Sequence, residues 1–494
     1  MLRYERTERV NISQNIIIYG VGKRGRSLVE LMDICGVHIG HIIDSNRELW
    51  GMEVGKHIVE TPDVLMSEKK PEICITVGSF LGIADIRKKL MQICQFDISN
   101  EVSYHSLIMY LYQKIDMKSL IKKKQTHERD GISVIFGCES GLGLGGIEEW
   151  TKSICAKFVK EREYESYILV GNSADSIPKE LNNHILQADI DSGQMFSLHN
   201  VEQIVNCIIP YLPCIIVSSQ PDQTLLAGKI LKDMFGERVK VISGIRGGHA
   251  EINDSYMDMR ACTDLYVCVN STVREDMIKR GVSVDKVYTM LCPVECPAVL
   301  KRSYSLDSNR PLRIGFAGRL EKEEKRMDLM LRVIELLEER RLSYCLTFAG
   351  AGSYQETIEM FIEKHACYDR VKLLGKIDKK AIWNFWQEQD VCVNISDHEG
   401  RSRSTIEAMA NGAVPVVTDT WGVKDDIKDG ENGFIVNVRD YRAMAEKLCF
   451  LGKNRDMLPL MGKNAHKELM RKSSMDDHYR FWQEIIDLVM GETK

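Results

Sequence analysis

The stretch "DVCVNISDHEGRSRSTIEAMANGAVPVVTD" (residues 390–419) decides the fold class. Two runs rich in β-branched residues, at 390–396 and 413–419, enclose a segment with helical spacing. The "NG" pair at 411–412 is typical of a helix end. A strand, a helix and a second strand in so short a stretch indicate neighbouring parallel strands joined by a crossover helix. The stretch therefore predicts an α/β domain with a parallel sheet.

The same alternation of strands and helices extends outward in both directions. Earlier strands of the same block end in glycine turns at Gly318, Gly350 and Gly375. We predict three Rossmann-like α/β domains and a final helix with Phe481, Ile485 and Leu488 on one stripe. The predicted boundaries are 1–115 for the first domain, 116–130 for a linker, 131–298 and 310–475 for the second and third domains, and 476–494 for the helix.

Bulk properties indicate a folded protein of the cytoplasm. The chain has 494 residues, 44% of them hydrophobic and 28% charged, and a net charge of -5, which argues against a general nucleic-acid binder. Its fifteen cysteines form no C-x-x-C pair, as expected of buried thiols in a reducing compartment. No signal peptide or membrane-spanning run is apparent. The basic cluster at 121–129 could contact an anionic membrane surface, although a solvated linker is the favoured interpretation.

The helix start near residue 402 has the features of an anion site. Its first turn holds Arg403, Ser404 and Thr405 but no acid, although helix starts favour acids. An external anion would suit the unpaired N–H groups there. Glu407 follows about one turn later, where a carboxylate could accept the two vicinal hydroxyls of a ribose. Glu399 precedes the helix and would face the group beyond the phosphates, although an isolated glutamate is more often an exposed surface residue.

A second segment of the third domain carries cations after a glycine turn. In "IGFAGRLEKEEKRMDLML" (314–331), Gly318 is followed by Arg319 and Lys325, which could hold a diphosphate. A merely charged helix start is about as good an interpretation of this run. Several strand ends with glycine turns in one domain nevertheless favour a nucleotide pocket.

The third domain resembles the nucleotide-sugar domain of GT-B glycosyltransferases, specifically the retaining family 4. The resemblance runs in order along about 130 residues, and Glu399 and Glu407 fit its E-x7-E element. It implies that Glu407 binds the ribose and Glu399 the donor sugar. Arg319 and Lys325, or Lys322 in place of Lys325, would bind the diphosphate. The remaining donor-side positions that it implies are Gly318, Gly352, Lys376 and the backbone N–H groups of Ser404 and Thr405.

The resemblance makes the second domain the acceptor half. The glycine loop in "CESGLGLGGIEEW" (138–150) places Gly146 near the diphosphate, with Glu148 to cap or orient it. His249 follows a strand where the family often has a histidine near the donor sugar. The surrounding "GIRGG" departs from the family pattern, so a surface histidine is an equally good interpretation.

The first domain carries a dinucleotide-type fingerprint. Gly20, Gly22 and Gly25 follow the strand "IIIY" (16–19), and Asp44 ends the next strand, where an acid can bind a ribose. The domain resembles the small Rossmann units fused to bacterial sugar-modifying enzymes, in which a scaffold role is as common as ligand binding. Tyr110 and Lys114 have the Y-x-x-x-K spacing found in reductases, and we attribute this spacing to chance.

We therefore expect a retaining, hexosyltransferase-type glycosyltransferase that uses a nucleotide-diphosphate sugar, with UDP as the expected nucleotide. The expected acceptor is a glycan, a lipid-linked sugar or a growing polysaccharide, and the enzyme would need no cofactor or metal. The alternatives are a nucleotide-sugar 2-epimerase of GT-B fold and a non-catalytic partner subunit. Because the second and third domains would hold the whole pocket, the first domain should be dispensable for donor binding.

Overall fold

A computed structural model describes residues 15–68, 70–78, 80–94, 96–121, 131–143, 145–171, 177–248 and 250–491. Three sheets, parallel except for one hairpin at the edge of the first, lie in sequence order along this part of the chain. Each is covered by helices, as expected for strands that are apolar on both faces. The fold class is thus the predicted one.

The first sheet has the strand order β3-β4-β2-β1-β5 within the described residues. Only β3 and β4 pair antiparallel, as a short hairpin at the sheet edge. The predicted strand 16–19 matches β1. The elements are β1 (Ile16–Tyr19), α1 (Lys23–Ile34), β2 (Ile39–Ile43), β3 (Glu53–Val54), β4 (His57–Glu60), β5 (Glu72–Ile75), α2 (Phe80–Cys94), α3 (Tyr104–Lys114) and α4 (Met117–Leu120).

The second sheet is parallel throughout, with the order β12-β11-β10-β9-β6-β7-β8 in the described ranges. Its central strands β6 and β9 are fully buried. The elements are β6 (Ser133–Cys138), α5 (Gly146–Glu161), β7 (Glu165–Val170), β8 (Ile185–Gln187), α6 (Leu198–Ile208), β9 (Cys214–Ser218), α7 (Gln223–Phe235), β10 (Val239–Ile245), α8 (Ala250–Asp258), β11 (Leu265–Cys268), α9 (Ser271–Lys279) and β12 (Val287–Thr289).

The third sheet has the order β15-β14-β13-β16-β17-β18 where the chain is described, again parallel. The strand–helix–strand unit predicted from 390–419 is β16, α13 and β17. The elements are β13 (Leu312–Ala317), α10 (Met327–Glu339), β14 (Tyr344–Ala349), α11 (Gln355–Lys364), β15 (Val371–Leu373), α12 (Lys379–Glu388), β16 (Val391–Asn394), α13 (Arg403–Ala410), β17 (Val414–Thr418), α14 (Val423–Asp426), β18 (Phe434–Val436), α15 (Tyr441–Lys453) and α16 (Met457–Lys472).

The last helix, α17 (Met475–Met490), crosses back to the second domain. Its buried face joins the core around Phe136 and Trp150, and Trp482 and Ile486 there are fully buried. The predicted stripe is correct for Ile485 and wrong for Leu488, which is 39% exposed. The helix packs on the second domain through a face that includes His478 and Trp482, and this rotates Leu488 toward solvent.

Candidate active site between the second and third domains

Glu399 lies in the loop that joins β16 to α13, and its carboxylate is held by the strand end. Asn394 Nδ2 donates to Glu399 Oε1 over 3.1 Å, and Ser396 Oγ donates to the same oxygen over 2.9 Å. Asn394 also donates to Ser402 Oγ, the N-cap residue of α13, over 3.0 Å. One asparagine therefore fixes both the carboxylate and the helix start.

Lys325 completes the surroundings of Glu399. Its Nζ donates to Glu399 Oε1 over 2.5 Å, and both side chains are largely buried. Burial raises the pKa of Glu399, but Lys325, Asn394 and Ser396 outweigh it and hold that pKa below its usual value. Lys322, the sequence alternative, is exposed. The structure thus brings Lys325 to the E-x7-E loop.

Arg319 lies outside this buried pair. Its guanidinium donates to Glu321 over 2.8 Å and to Glu324 over 2.9 Å, and its side chain is 60% exposed. It follows Gly318, whose φ of +153° disfavours other residues. Its predicted contact with a diphosphate remains a prediction.

Glycines allow the ends of neighbouring strands in the third domain to lie in close contact. A Cβ on Gly350 would lie 1.8 Å from the carbonyl oxygen of Gly318, and one on Gly352 would lie 2.3 Å from that of Leu320. The Gly350 N–H donates to the carbonyl of Gly375, and Lys376 next to it is exposed. These turns bring the ends of β13, β14 and β15 together at one edge.

The first turn of α13 is free of acids, as predicted, and its N-cap side chain makes no capping hydrogen bond. Thr405 Oγ1 donates to Ser402 Oγ over 3.0 Å, and Ser404 Oγ lies 3.3 Å from the same oxygen. Glu407 lies one turn further on and pairs with Arg403 Nε over 3.1 Å. The N-cap side chain therefore does not occupy the N–H groups of this turn, and binding of an anion there remains a prediction.

The second domain touches the loop that carries Glu399. A Cβ on Gly248 would lie 1.7 Å from the carbonyl oxygen of Glu399, and one on Gly400 would lie 2.1 Å from that of Arg246. Asn270, at the start of α9, donates to the Gly400 carbonyl over 2.6 Å. The "GIRGG" segment, which seemed a poor family match, is thus a close backbone contact between the domains. Gly248 of this segment and Gly400 of the facing loop were the sequence signal for it.

Arg401 was not anticipated from the sequence. Its side chain is 1% exposed and pairs with Asp426, with Nη2 2.6 Å from Oδ1. It also donates to Ser473 Oγ over 2.8 Å and to the carbonyl of Cys292. This arginine ties the Glu399 loop to the two segments that connect the second and third domains.

The acceptor-side residues lie at the start of α5. Gly146 is its first residue, and the carboxylate of Glu148 folds back against the preceding loop, 2.0 Å from where a Cβ of Gly145 would be. His249 lies outside the described residues, so its role remains a prediction.

In the first domain the fingerprint forms the expected turn. Gly20 has a φ of +105°, and a Cβ on Gly25 would lie 1.9 Å from the Gly20 carbonyl oxygen. Gly22 is the N-cap of α1. Asp44 accepts hydrogen bonds from the backbone N–H groups of Val21 and Asn46, over 3.0 and 2.8 Å. The carboxylate thereby orders the turn, and binding of a ribose remains a prediction.

The described residues show no arrangement typical of a metal centre or of a membrane-spanning helix. Among these residues no group of three or more His, Cys, Asp or Glu side chains is arranged to hold a metal ion. No helix in the described ranges is long and apolar enough to cross a membrane. The basic cluster at 121–129 lies outside the described residues apart from Ile121.

The third domain is similar to known glycosyltransferases. Residues 301–468 match the family model "Glycosyl transferases group 1". The chain is 27% identical over 166 residues to the poly(ribitol-phosphate) alpha-N-acetylglucosaminyltransferase of Staphylococcus aureus, covering 33% of each chain. It is 22% identical over 254 residues to the N-acetyl-alpha-D-glucosaminyl L-malate synthase of Bacillus anthracis, covering 49% of this chain and 65% of that one. The chain spans less than two thirds of these relatives.

Solved structures show the same architecture. S. aureus TarM, in a complex that contains UDP, superposes with a TM-score of 0.58 at 14% identity, covering 71% of this chain and 99% of that one. Anabaena HepE with UDP and glucose gives 0.58 at 16% identity, covering 72% and 99%. The second and third domains therefore have the GT-B fold.

Proposed function

We propose that this chain is a retaining glycosyltransferase of family 4 that transfers a hexose-type sugar from a UDP-sugar. The acceptor would be a glycan, a lipid-linked sugar or a polysaccharide. The observation that carries the proposal is the buried Lys325–Glu399 pair beside the acid-free start of α13. The match of residues 301–468 and the UDP present in the TarM and HepE structures support it.

In this proposal each side chain has one task. Glu407 binds the ribose, and the first turn of α13 donates its N–H groups to the diphosphate. Lys325 and Arg319 stabilise the negative charge that develops on the leaving diphosphate. Glu399, kept ionised by Lys325, accepts hydroxyls of the donor sugar. The acceptor attacks on the face from which the diphosphate leaves, and a leaving phosphate oxygen takes its proton.

Two carboxamide variants test these roles. Glu407→Gln should weaken UDP binding about tenfold or more, because a charge-assisted hydrogen bond to the ribose is lost. Glu399→Gln should keep UDP affinity within about threefold and lower turnover, because its carboxylate faces the sugar. Titration calorimetry with UDP and initial rates with a panel of UDP-sugars measure both. Equal UDP affinity in wild type and Glu407→Gln would refute the ribose role.

The same assays separate the rival functions. An epimerase would convert the donor in the absence of an acceptor, and product analysis detects that. A non-catalytic partner subunit would neither transfer nor hydrolyse any donor. We propose a location in the cytoplasm. As a secondary proposal, the basic cluster at 121–129 contacts the inner face of the membrane.

We further propose that transfer needs no metal, since Lys325, Arg319 and the helix start supply the positive charge. EDTA should leave most activity intact. Lys325→Ala and Arg319→Ala should each lose about 10²- to 10³-fold in turnover. Loss of activity in EDTA with recovery on adding magnesium or manganese would contradict this assignment.

A further inference from the structure

The last residue of α8, Asp258, binds the first domain. Ser103 Oγ and Ser106 Oγ both donate to its carboxylate, the latter over 2.8 Å. Ser103 is the N-cap residue of α3, but its side chain makes no capping hydrogen bond, and the first turn of α3 contains no acid. Carboxylates are favoured at helix N-termini. Asp258 therefore supplies, from the second domain, the negative charge that the start of α3 lacks.

The other end of α8 packs against the loop that carries Glu399. The helix starts two residues after Gly248, and a Cβ on Gly247 would lie 2.2 Å from Cδ1 of its Ile252. A Cβ on Gly248 would lie 1.7 Å from the carbonyl oxygen of Glu399 and 2.8 Å from the backbone nitrogen of Gly400. Close-packed groups of this kind cannot shift without displacing their neighbours. The two glycines are thus packed between α8 and the Glu399 loop.

Between these two ends α8 is a short, rigid connector. Its nine residues span about 13 Å. Tyr256, which is fully buried, donates to the carbonyl of Gly244 over 3.1 Å, and Asn253 Nδ2 donates to Asp276 of α9 over 2.7 Å. These contacts hold the body of the helix on the second domain, whereas Asp258 holds its end on the first. Rigid elements of this kind can carry energetic coupling between distant contacts.

We propose that the first domain positions Glu399 through Asp258 and α8, which makes Asp258 a positioning residue for sugar transfer. The proposal rests on the proposed function, in which Glu399 accepts hydroxyls of the donor sugar. It gives the first domain a role that requires no ligand at the turn formed by residues 20–25. Helix α13, by contrast, is anchored in the third domain by the buried Ile406 and Met409, so nucleotide binding should not depend on Asp258.

Initial rates and titration calorimetry with UDP, both on the full chain, test the proposal. Asp258→Ala should lower kcat about tenfold and leave the Kd of UDP within about threefold, because a displaced Glu399 misplaces the sugar but not the nucleotide. Asp258→Asn keeps an acceptor oxygen for the two serines and should retain at least about a third of the wild-type kcat. In a Glu399→Gln background, Asp258→Ala should have almost no further effect.

Tyr112→Phe is the matched control. It removes a hydrogen bond between the same two domains, from Tyr112 to the carbonyl of Phe196, which does not involve α8. Its kcat should stay within about twofold of wild type. An unchanged kcat in Asp258→Ala, an equal loss in Tyr112→Phe, or additive losses in the double variant with Glu399→Gln would each overturn the proposal.

Amide hydrogen exchange tests the same connection without any substrate. Peptides that cover residues 396–402 should exchange faster in Asp258→Ala than in wild type or in Tyr112→Phe, because the Glu399 loop opens more often. Equal protection in the three proteins would overturn the proposal. This measurement does not depend on activity. Failure of the proposed function is therefore distinct, since it would show as a wild type that transfers no sugar from any UDP-sugar.

Discussion

At the scale of single residues, the two glutamates could be singled out from the sequence because motif spacing is local, whereas Lys325 could be named only beside its alternative, Lys322. Their surroundings could not be predicted. Asn394 is five residues from Glu399 and gave no signal of its own, since an asparagine at a strand end has many uses. The contact of Arg246 with Gly400 joins positions far apart in the chain, and spacing carries no information about such contacts.

Asp397 holds the segment 319–326, which carries Arg319 and Lys325, against the loop that carries Glu399. Its carboxylate accepts from Arg326 Nη1 over 3.1 Å and from Arg439 Nη2 over 2.8 Å. Its backbone N–H donates to the carbonyl of Glu324 over 2.7 Å. Arg326 and Arg439 both have left-handed backbones, with φ of 51° and 69°. Asp397 therefore fixes the segment that delivers Lys325.

We expect Asp397→Asn to lower kcat about tenfold, because a loosened loop misplaces Lys325. If Asp397 acts through Lys325, the same change should have almost no further effect in a Lys325→Ala background. Initial rates for the four proteins of this double-mutant cycle measure the coupling. Asp328→Asn is the control, since Asp328 also pairs with Arg326 but does not hold the Glu399 loop. Additive losses would show that Asp397 has only a general structural role.

At the scale of elements, the two strands predicted at 390–396 and 413–419 agree with β16 and β17 to within two residues at each end. Apolar runs between glycine turns mark fully buried parallel strands clearly. The buried face of α17 was harder to predict. Trp482 and His478 on this helix pack against the second domain, although the helix follows the third domain in sequence. Helical periodicity identifies an apolar stripe, but it does not reveal that a polar ring will be buried beside it.

His478 on α17 is a neutral histidine inside this packing. Its Nε2 accepts the indole N–H of Trp150 over 2.9 Å and that of Trp482 over 3.1 Å. Burial, together with the nearby Arg246 and Arg401, lowers its pKa from 6.5 to about 3. The unfolded chain therefore binds a proton below pH 6.5 that the folded chain does not. Stability is full above that pH and falls as the pH drops toward 3.

We expect the free energy of unfolding of wild type to fall between pH 6.5 and 5.5, with His478 contributing about 1 kcal/mol of the loss. His478→Gln keeps an acceptor for the indoles and should remove that share of the slope. Urea unfolding at both pH values measures it. His105, whose pKa is also lowered to about 3, contributes equally to the pH dependence of stability in wild type and in His478→Gln. The exposed His365 provides the control His365→Gln, which should keep the wild-type slope. An unchanged slope in His478→Gln would contradict the assignment.

At the scale of the whole molecule, the first two domains share one apolar core. Tyr104, Leu107 and Leu111 of α3 pack in the same cluster as Phe196 and Ile204 of the second domain. Tyr112 donates to the Phe196 carbonyl over 3.0 Å. The sequence predicted three domains from their alternating patterns. It could not show that two of them are joined, since apolar residues that face a neighbouring domain look the same as core residues.

The shared core changes the expected result of removing the first domain. Truncation at residue 121 would expose the apolar surface around Phe196, so we expect a destabilised, aggregating protein rather than a separable donor-binding pair. A truncated chain that stays monomeric with an unchanged Tm would show that the two domains are independent. Its donor binding could then be measured directly.

A point substitution tests the contact between the first and second domains without truncation. Asp258 of α8 accepts hydrogen bonds from Ser103 and Ser106 at the start of α3, the latter over 2.8 Å. Asp258→Ala leaves both hydroxyls without this partner and should cost about 1–3 kcal/mol, which lowers Tm by a few degrees. Because the two domains share a core, calorimetry should still show them unfolding in one transition. Asp233→Ala is the control, since its exposed pair with Lys229 contributes little. If Asp258→Ala produces a separate, earlier unfolding transition for the first domain, the hydrogen bonds of Asp258 are what hold the two domains together. If neither Tm nor cooperativity changes, the shared apolar core alone holds them together.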